Sequence, residues 1–119
     1  MSHPHEAIAH AWVDAFNRGD VAALVSLYAE DCTHTSPRLR ALHPESGGRL
    51  QGKVALADWW TGALQRLPGL RYELRTLTCC DERVVLEYVR HAPGEAPAPV
   101  AEAFDIAGGR IIASRVYPG

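Results

Sequence analysis

One change of rhythm constrains this chain more than any other feature. Apolar residues recur at helical spacing up to Pro68-Gly69 and at every second position beyond it. Ile8, Ala11, Trp12, Ala15 and Phe16 form one apolar face of an amphipathic helix, which Gly19 stops. Asp20 is placed to cap a second helix carrying Val21, Leu24, Val25 and Tyr28 on one side. A third helix follows Gly52, with Leu56, Trp59, Trp60, Ala63, Leu64 and Leu67 as a broad stripe. From Leu70 the period is two. Leu70, Tyr72 and Leu74 alternate with Arg71, Glu73 and Arg75, a turn at Asp81-Glu82 leads into a strand over 83–91, and Gly108-Gly109 joins a strand over 98–106 to one over 111–117. Helices first and an antiparallel meander second predict an α+β fold, helices packed on one face of a sheet.

At 119 residues the chain reads as one domain, 1–119, long enough to bury a core without disulfides. Its charge of −2, from 12 basic and 14 acidic residues, lacks the basic footprint of a nucleic-acid binder. No apolar run is long enough to span a membrane, and no leader pattern opens the chain, so the expected compartment is the cytoplasm. Cys32, Cys79 and Cys80 have no ligand spacing; they read as small buried residues in a reducing compartment. Neither a metal nor an organic cofactor is expected. Between a short strand at 32–36 and Gly52 lies a polar stretch, 37–50, with Arg38, Arg40, His43, Glu45 and Gly47-Gly48. It reads as a loop, either a lid over a site or a connection without function.

Function is sought where polar residues fall on apolar faces. Glu102 shares a strand face with Val100, Phe104 and Ile106. A carboxyl so placed is paired, protonated or facing a cavity, and a raised pKa suits a general acid or base. Glu87 lies between Val85 and Val89, with Val84, Leu86 and Tyr88 on the other face, so it reads as buried on either assignment. It joins Glu102 in one cavity or pairs with an arginine such as Arg115. His34 and Ser36 share a face of the short strand, where the histidine is either a proton shuttle or a satisfied core residue. Trp12, Tyr28, Trp59 and Trp60 are either plain core or the wall of a small-molecule pocket.

The run Trp12-Val13-Asp14-Ala15-Phe16-Asn17-Arg18-Gly19-Asp20, then Leu27-Tyr28-Ala29-Glu30-Asp31, Gly52, Trp59-Trp60 and the hairpin Gly109-Arg110-Ile111-Ile112 resemble the nuclear transport factor 2-like superfamily. The likeness is to its SnoaL-like polyketide cyclases and ketosteroid isomerase, and it covers nearly the whole chain. It implies a cone: a curved, mixed, mostly antiparallel sheet wrapped around three N-terminal helices, enclosing an apolar pocket, with a homodimer through the outer sheet face. In the isomerase pattern the oxyanion-binding tyrosine falls at Trp12, its supporting tyrosines at Tyr28 and Trp60, the aspartate base at Ser36 before Pro37, and the protonated acid at Glu102. Base and phenol are therefore missing, and steroid isomerisation by that route is not expected. The cyclase pattern places an acid–base carboxylate near Glu102.

These readings combine into an expected cofactor-independent enzyme that moves protons on a small apolar oxygenated molecule, by isomerisation, cyclisation or dehydration. Glu102 is its acid/base, assisted by His34 and Glu87, with Trp12, Phe16, Tyr28, Ser36, Trp59, Trp60 and Phe104 around the substrate and 38–50 as gate. The alternative is a non-catalytic module that binds a hydrophobic ligand or dimerises, in which Glu102 sits against a fixed cation. A protein-transport adaptor is a third, fold-level possibility.

Overall fold

The computed structural model describes residues 3–119. Helix α1 (Pro4–Asn17) opens with proline in its first turn and buries Ala9, Trp12, Ala15 and Phe16. The buried stripe is turned from the expected one: Ala11 is exposed, and Ala9, one turn before Trp12, takes its place. Helix α2 (Val21–Ser26) is capped by Asp20, whose carboxylate accepts from the Ala23 N–H at 3.0 Å. It ends before Tyr28. That residue begins strand β1 (Tyr28–Thr35), so it does not lie on a helix, and the strand is longer than the expected 32–36. β-branched Thr33 and Thr35 and the alternating burial of Cys32 and His34 suit an extended backbone there.

The 37–50 stretch is not a loop. Pro37–Leu42 form helix α3, Pro44–Ser46 a 3-10 turn, and Arg49–Gln51 strand β2, which pairs antiparallel with β1. Ser36 caps α3, accepting from the Arg38 N–H at 3.2 Å, and Pro37 stands in its first turn. Burial of Leu39, which is 0% exposed, ties this short helix to the core. One apolar anchor in a polar stretch is too little for periodicity to reveal. The described residues thus hold four α-helices, not three.

After α4 (Lys53–Arg66) come β3 (Arg71–Cys80), β4 (Arg83–His91), β5 (Ala98–Ala107) and β6 (Arg110–Pro118). The sheet order is β2-β1-β6-β5-β4-β3, antiparallel except for β1 beside β6. Register shifts at Tyr28/Thr33, Leu74/Thr76 and Asp105/Ile106 bend the strands. The sheet therefore curls around α1 and α4, giving the expected curved, mixed α+β cone. Gly108 and Gly109, at φ +59° and +74°, make the two-residue β5–β6 turn in a conformation that disfavours other side chains. The cysteines differ in burial: Cys32 is buried but Cys80, at the end of an edge strand, is exposed. Among the described residues no helix is long and apolar enough to cross a membrane.

Candidate active site

A cavity of about 490 Å³ lies between the concave face of the sheet, α4 and α3. Trp12, Trp59, Trp60, Tyr72 and Tyr88 supply aromatic wall, and His34, Ser36 and Glu102 are polar residues set into it. Arg38, Ala41, Glu95, Pro99 and Gly119, all exposed, mark its mouth.

Glu102 comes from β5, where the face shared with Val100, Phe104 and Ile106 is buried as its alternation predicts. It is 1% exposed. Tyr88, two residues along β4 from Leu86, the register partner of Glu102, donates its O–H to Oε1 at 2.8 Å. Oε2 is buried and has no partner among the described residues. Burial disfavours the charged form and raises the carboxyl pKa to about 8, against a smaller lowering by the Tyr88 bond. Glu102 is therefore mostly the neutral acid at pH 7. Once Oε1 accepts from Tyr88, the proton belongs on Oε2.

His34, 3% exposed, ends a relay of buried side chains. Trp12 Nε1–H donates to Tyr28 Oη at 3.2 Å, Tyr28 O–H donates to Ser114 Oγ at 3.0 Å, and Ser114 Oγ lies 2.6 Å from His34 Nδ1. We assign the Ser114 proton to Nδ1 and the His34 proton to Nε2, the tautomer in which the relay runs in one direction. Burial lowers the imidazole pKa to about 4, so the ring stays neutral at neutral pH. Glu102 and His34 thus meet one cavity as two uncharged hydrogen-bond donors.

Several expected site residues lie elsewhere. Glu87 is exposed on the convex face, where Thr76 O–H donates to its Oε2 at 2.6 Å; it shares no cavity with Glu102, and Arg115 pairs with Asp105 instead. The sheet alternation decides this: Val84, Leu86, Tyr88 and Arg90 point inward, and Glu87 opposes Ala101 outside. Phe16, Tyr28 and Phe104 do not line the cavity. They stand behind its wall, Phe16 stacked on Tyr72 at 3.9 Å between centroids, Phe104 5.1 Å from Trp12, and Tyr28 5.4 Å from Trp60. Ser36 does line it, though its oxygen also caps α3.

Tyr88, Arg90, Ser114 and Glu95 are site residues that the sequence reading does not single out. For Arg90 the signal existed: it continues the alternation of Val84, Leu86 and Tyr88, so a cation on an apolar face was legible. Tyr88 needed the β4–β5 register, which a six-residue connection does not set.

The curved mixed sheet wrapped around helices matches the cone fold of nuclear transport factor 2-like structures. Residues 9–114 match the SnoaL-like domain, and the chain belongs to that family. It is similar to a SnoaL-like protein of unknown function from Burkholderia thailandensis, 25% identical with a TM-score of 0.89 over 100% of this chain and 97% of that one. A candidate polyketide cyclase from Sinorhizobium meliloti is 22% identical, with a TM-score of 0.79 over 98% and 100%. TerC, co-crystallised with polyporic acid, is 17% identical, with a TM-score of 0.84 over 98% and 92%. No curated protein matches the chain.

Proposed function

We propose that the chain is a cofactor-independent acid/base enzyme acting on a small, largely apolar, oxygenated molecule held in the cavity. The observation that carries this reading is Glu102: fully buried, neutral at pH 7, and bonded among the described residues through one oxygen only. The proton on Oε2 passes to a substrate oxygen as that oxygen gains charge or departs. The resulting carboxylate then takes a proton from the neighbouring carbon and regenerates the acid. Enolisation and loss of water fit this exchange, and ring closure fits it when the carbon that gives up its proton attacks the carbonyl whose oxygen Glu102 protonates; the enzyme gains or loses no net proton. His34 offers Nε2–H to the oxygen that becomes negative, with its tautomer held by Ser114. The three tryptophans and two tyrosines exclude water and supply flat apolar contact. The fold of TerC, seen with polyporic acid, supports reading the cavity as a small-molecule site.

The non-catalytic alternative expects Glu102 to sit against a fixed cation; among the described residues its only hydrogen-bond partner is the Tyr88 hydroxyl. The test is a thermal-shift screen of phenolics, polyketide-like aromatics, terpenoids and steroids, followed by turnover assays on the ligands found. Glu102→Gln is expected to lower turnover of a true substrate by about 10²–10⁴ without loss of binding. Turnover within about threefold of the wild type defeats the reading.

The convex sheet face completes the proposal as the contact between two copies of the chain. Val85 and Val89 are half-buried there, beside Ala101 and exposed Tyr117, more apolar surface than a solvated sheet face needs.

A further inference from the structure

Arg90 faces the cavity four residues along β4 from Leu86, the register partner of Glu102. It is 9% exposed. Its Nη1 donates to Glu95 Oε1 at 2.7 Å, while Nη2 is buried with no partner among the described residues. Glu95 also lies 4.0 Å from Arg38 Nη2 at the cavity mouth, so one carboxylate is shared by two guanidiniums and the local charge sums to +1. A guanidinium always carries its charge, and its fork presents N–H groups in the geometry a carboxylate accepts. Glu102 and Arg90 thus line one aromatic-walled cavity from backbone positions roughly 13–14 Å apart along the strands.

We propose that the substrate is an organic anion, an aromatic or alicyclic body bearing a carboxylate, whose acid group binds Arg90 Nη2 while its distal oxygen reaches Glu102. This rests on the cavity being the substrate site, but not on Glu102 moving a proton. Arg90 sets specificity: a neutral analogue offers Nη2 only an uncharged acceptor, whereas a carboxylate makes the stronger charge-assisted bond. Arg38, half-exposed, draws the anion to the mouth and contributes less once it is bound.

The experiment compares 4′-hydroxybiphenyl-4-carboxylate with its primary amide by calorimetric titration at pH 6.5. The wild type is expected to bind the carboxylate at least about tenfold more tightly, the contrast a charge-assisted bond supports. Arg90→Gln is expected to bring the two affinities together, mainly by weakening the carboxylate. Glu95→Gln, at an exposed turn, is expected to tighten the carboxylate several-fold, and it keeps the test open if the Arg90 variant fails to fold. Equal affinities in the wild type, a preference that survives Arg90→Gln, a preference abolished only by Arg38→Gln, or no binding of either probe at millimolar concentration overturns the proposal. Glu102→Gln should retain the carboxylate preference. If it does while turnover is unaffected, the acid/base reading fails and the anion site stands.

Discussion

At the scale of single residues, the site is governed by what burial does to two titratable groups of opposite type. Burial raises the Glu102 pKa to about 8 and lowers that of His34 to about 4, so each is driven to its uncharged form. The order is reversed from that in water, and between those values the cavity holds no net charge from either. Turnover is expected to be flat across that interval and to fall above about pH 8 as Glu102 loses its proton; a pH–rate profile of kcat/KM checks this. Tyr88→Phe removes the one hydrogen bond that stabilises the carboxylate, so the alkaline limb is expected to move to higher pH. A limb that stays in place would show that Tyr88 does not tune the acid. Glu102 was legible from sequence because an ionisable residue among three large hydrophobes breaks a two-residue period. His34 was placed on the inward face, but its tautomer depends on Ser114, 80 residues away, and no local pattern encodes that contact.

At the scale of elements, caps and turns follow from local chemistry, while faces depend on partners. Asp20 caps α2 through the Ala23 N–H, and Asp20→Ala is expected to cost about 1 kcal/mol in a denaturant titration. Local chemistry also produced the Gly108-Gly109 turn, because positive φ at both positions selects glycine. Glu87 is exposed on its side of β4, against the expectation from the valines beside it. Both faces of that strand carry valine, and only helices on the concave side distinguish them. Helix α3 was missed for a related reason. Six residues held by a serine cap and one buried leucine gain most of their stability from packing, not from propensity.

At the scale of the molecule, the buried pair makes stability depend on pH in a definite direction. Glu102 is protonated in the fold up to about 8 and ionises near 4.5 in the open chain. Its contribution is whole below about 4.5 and is lost as pH rises through 8. His34 runs oppositely, whole above 6.5 and lost as pH falls through about 4. The two slopes oppose each other between 4.5 and 6.5, and above 6.5 only that of Glu102 remains. The melting temperature is therefore expected to decline between about pH 6.5 and 8, and Glu102→Gln to flatten that segment; an equal decline in both proteins would contradict the assignment. For the proposed dimer, light scattering is expected to give twice the chain mass, and Val85→Glu on the convex face to give a folded single chain. A wild type of single-chain mass removes that part of the proposal.

What the sequence determined by itself was everything carried by short-range periodicity: helices before strands, the hairpin turns, the inward face of β5 with Glu102 on it, and the aromatic residues available for a wall. Those features depend on neighbours one to four positions apart, where the 3.6 and 2.0 repeats act. Tertiary structure alone decided which aromatics meet the cavity and which stand behind it, that Glu87 faces outward, and that Tyr88 and Ser114 join the site. Each of those outcomes depends on strand register and sheet curvature, set by contacts between residues far apart in the chain. A one-residue slip in a strand pairing exchanges its two faces. The buried polar atoms without a partner among the described residues, Glu102 Oε2 and Arg90 Nη2, emerge only once every other donor and acceptor around them has been placed.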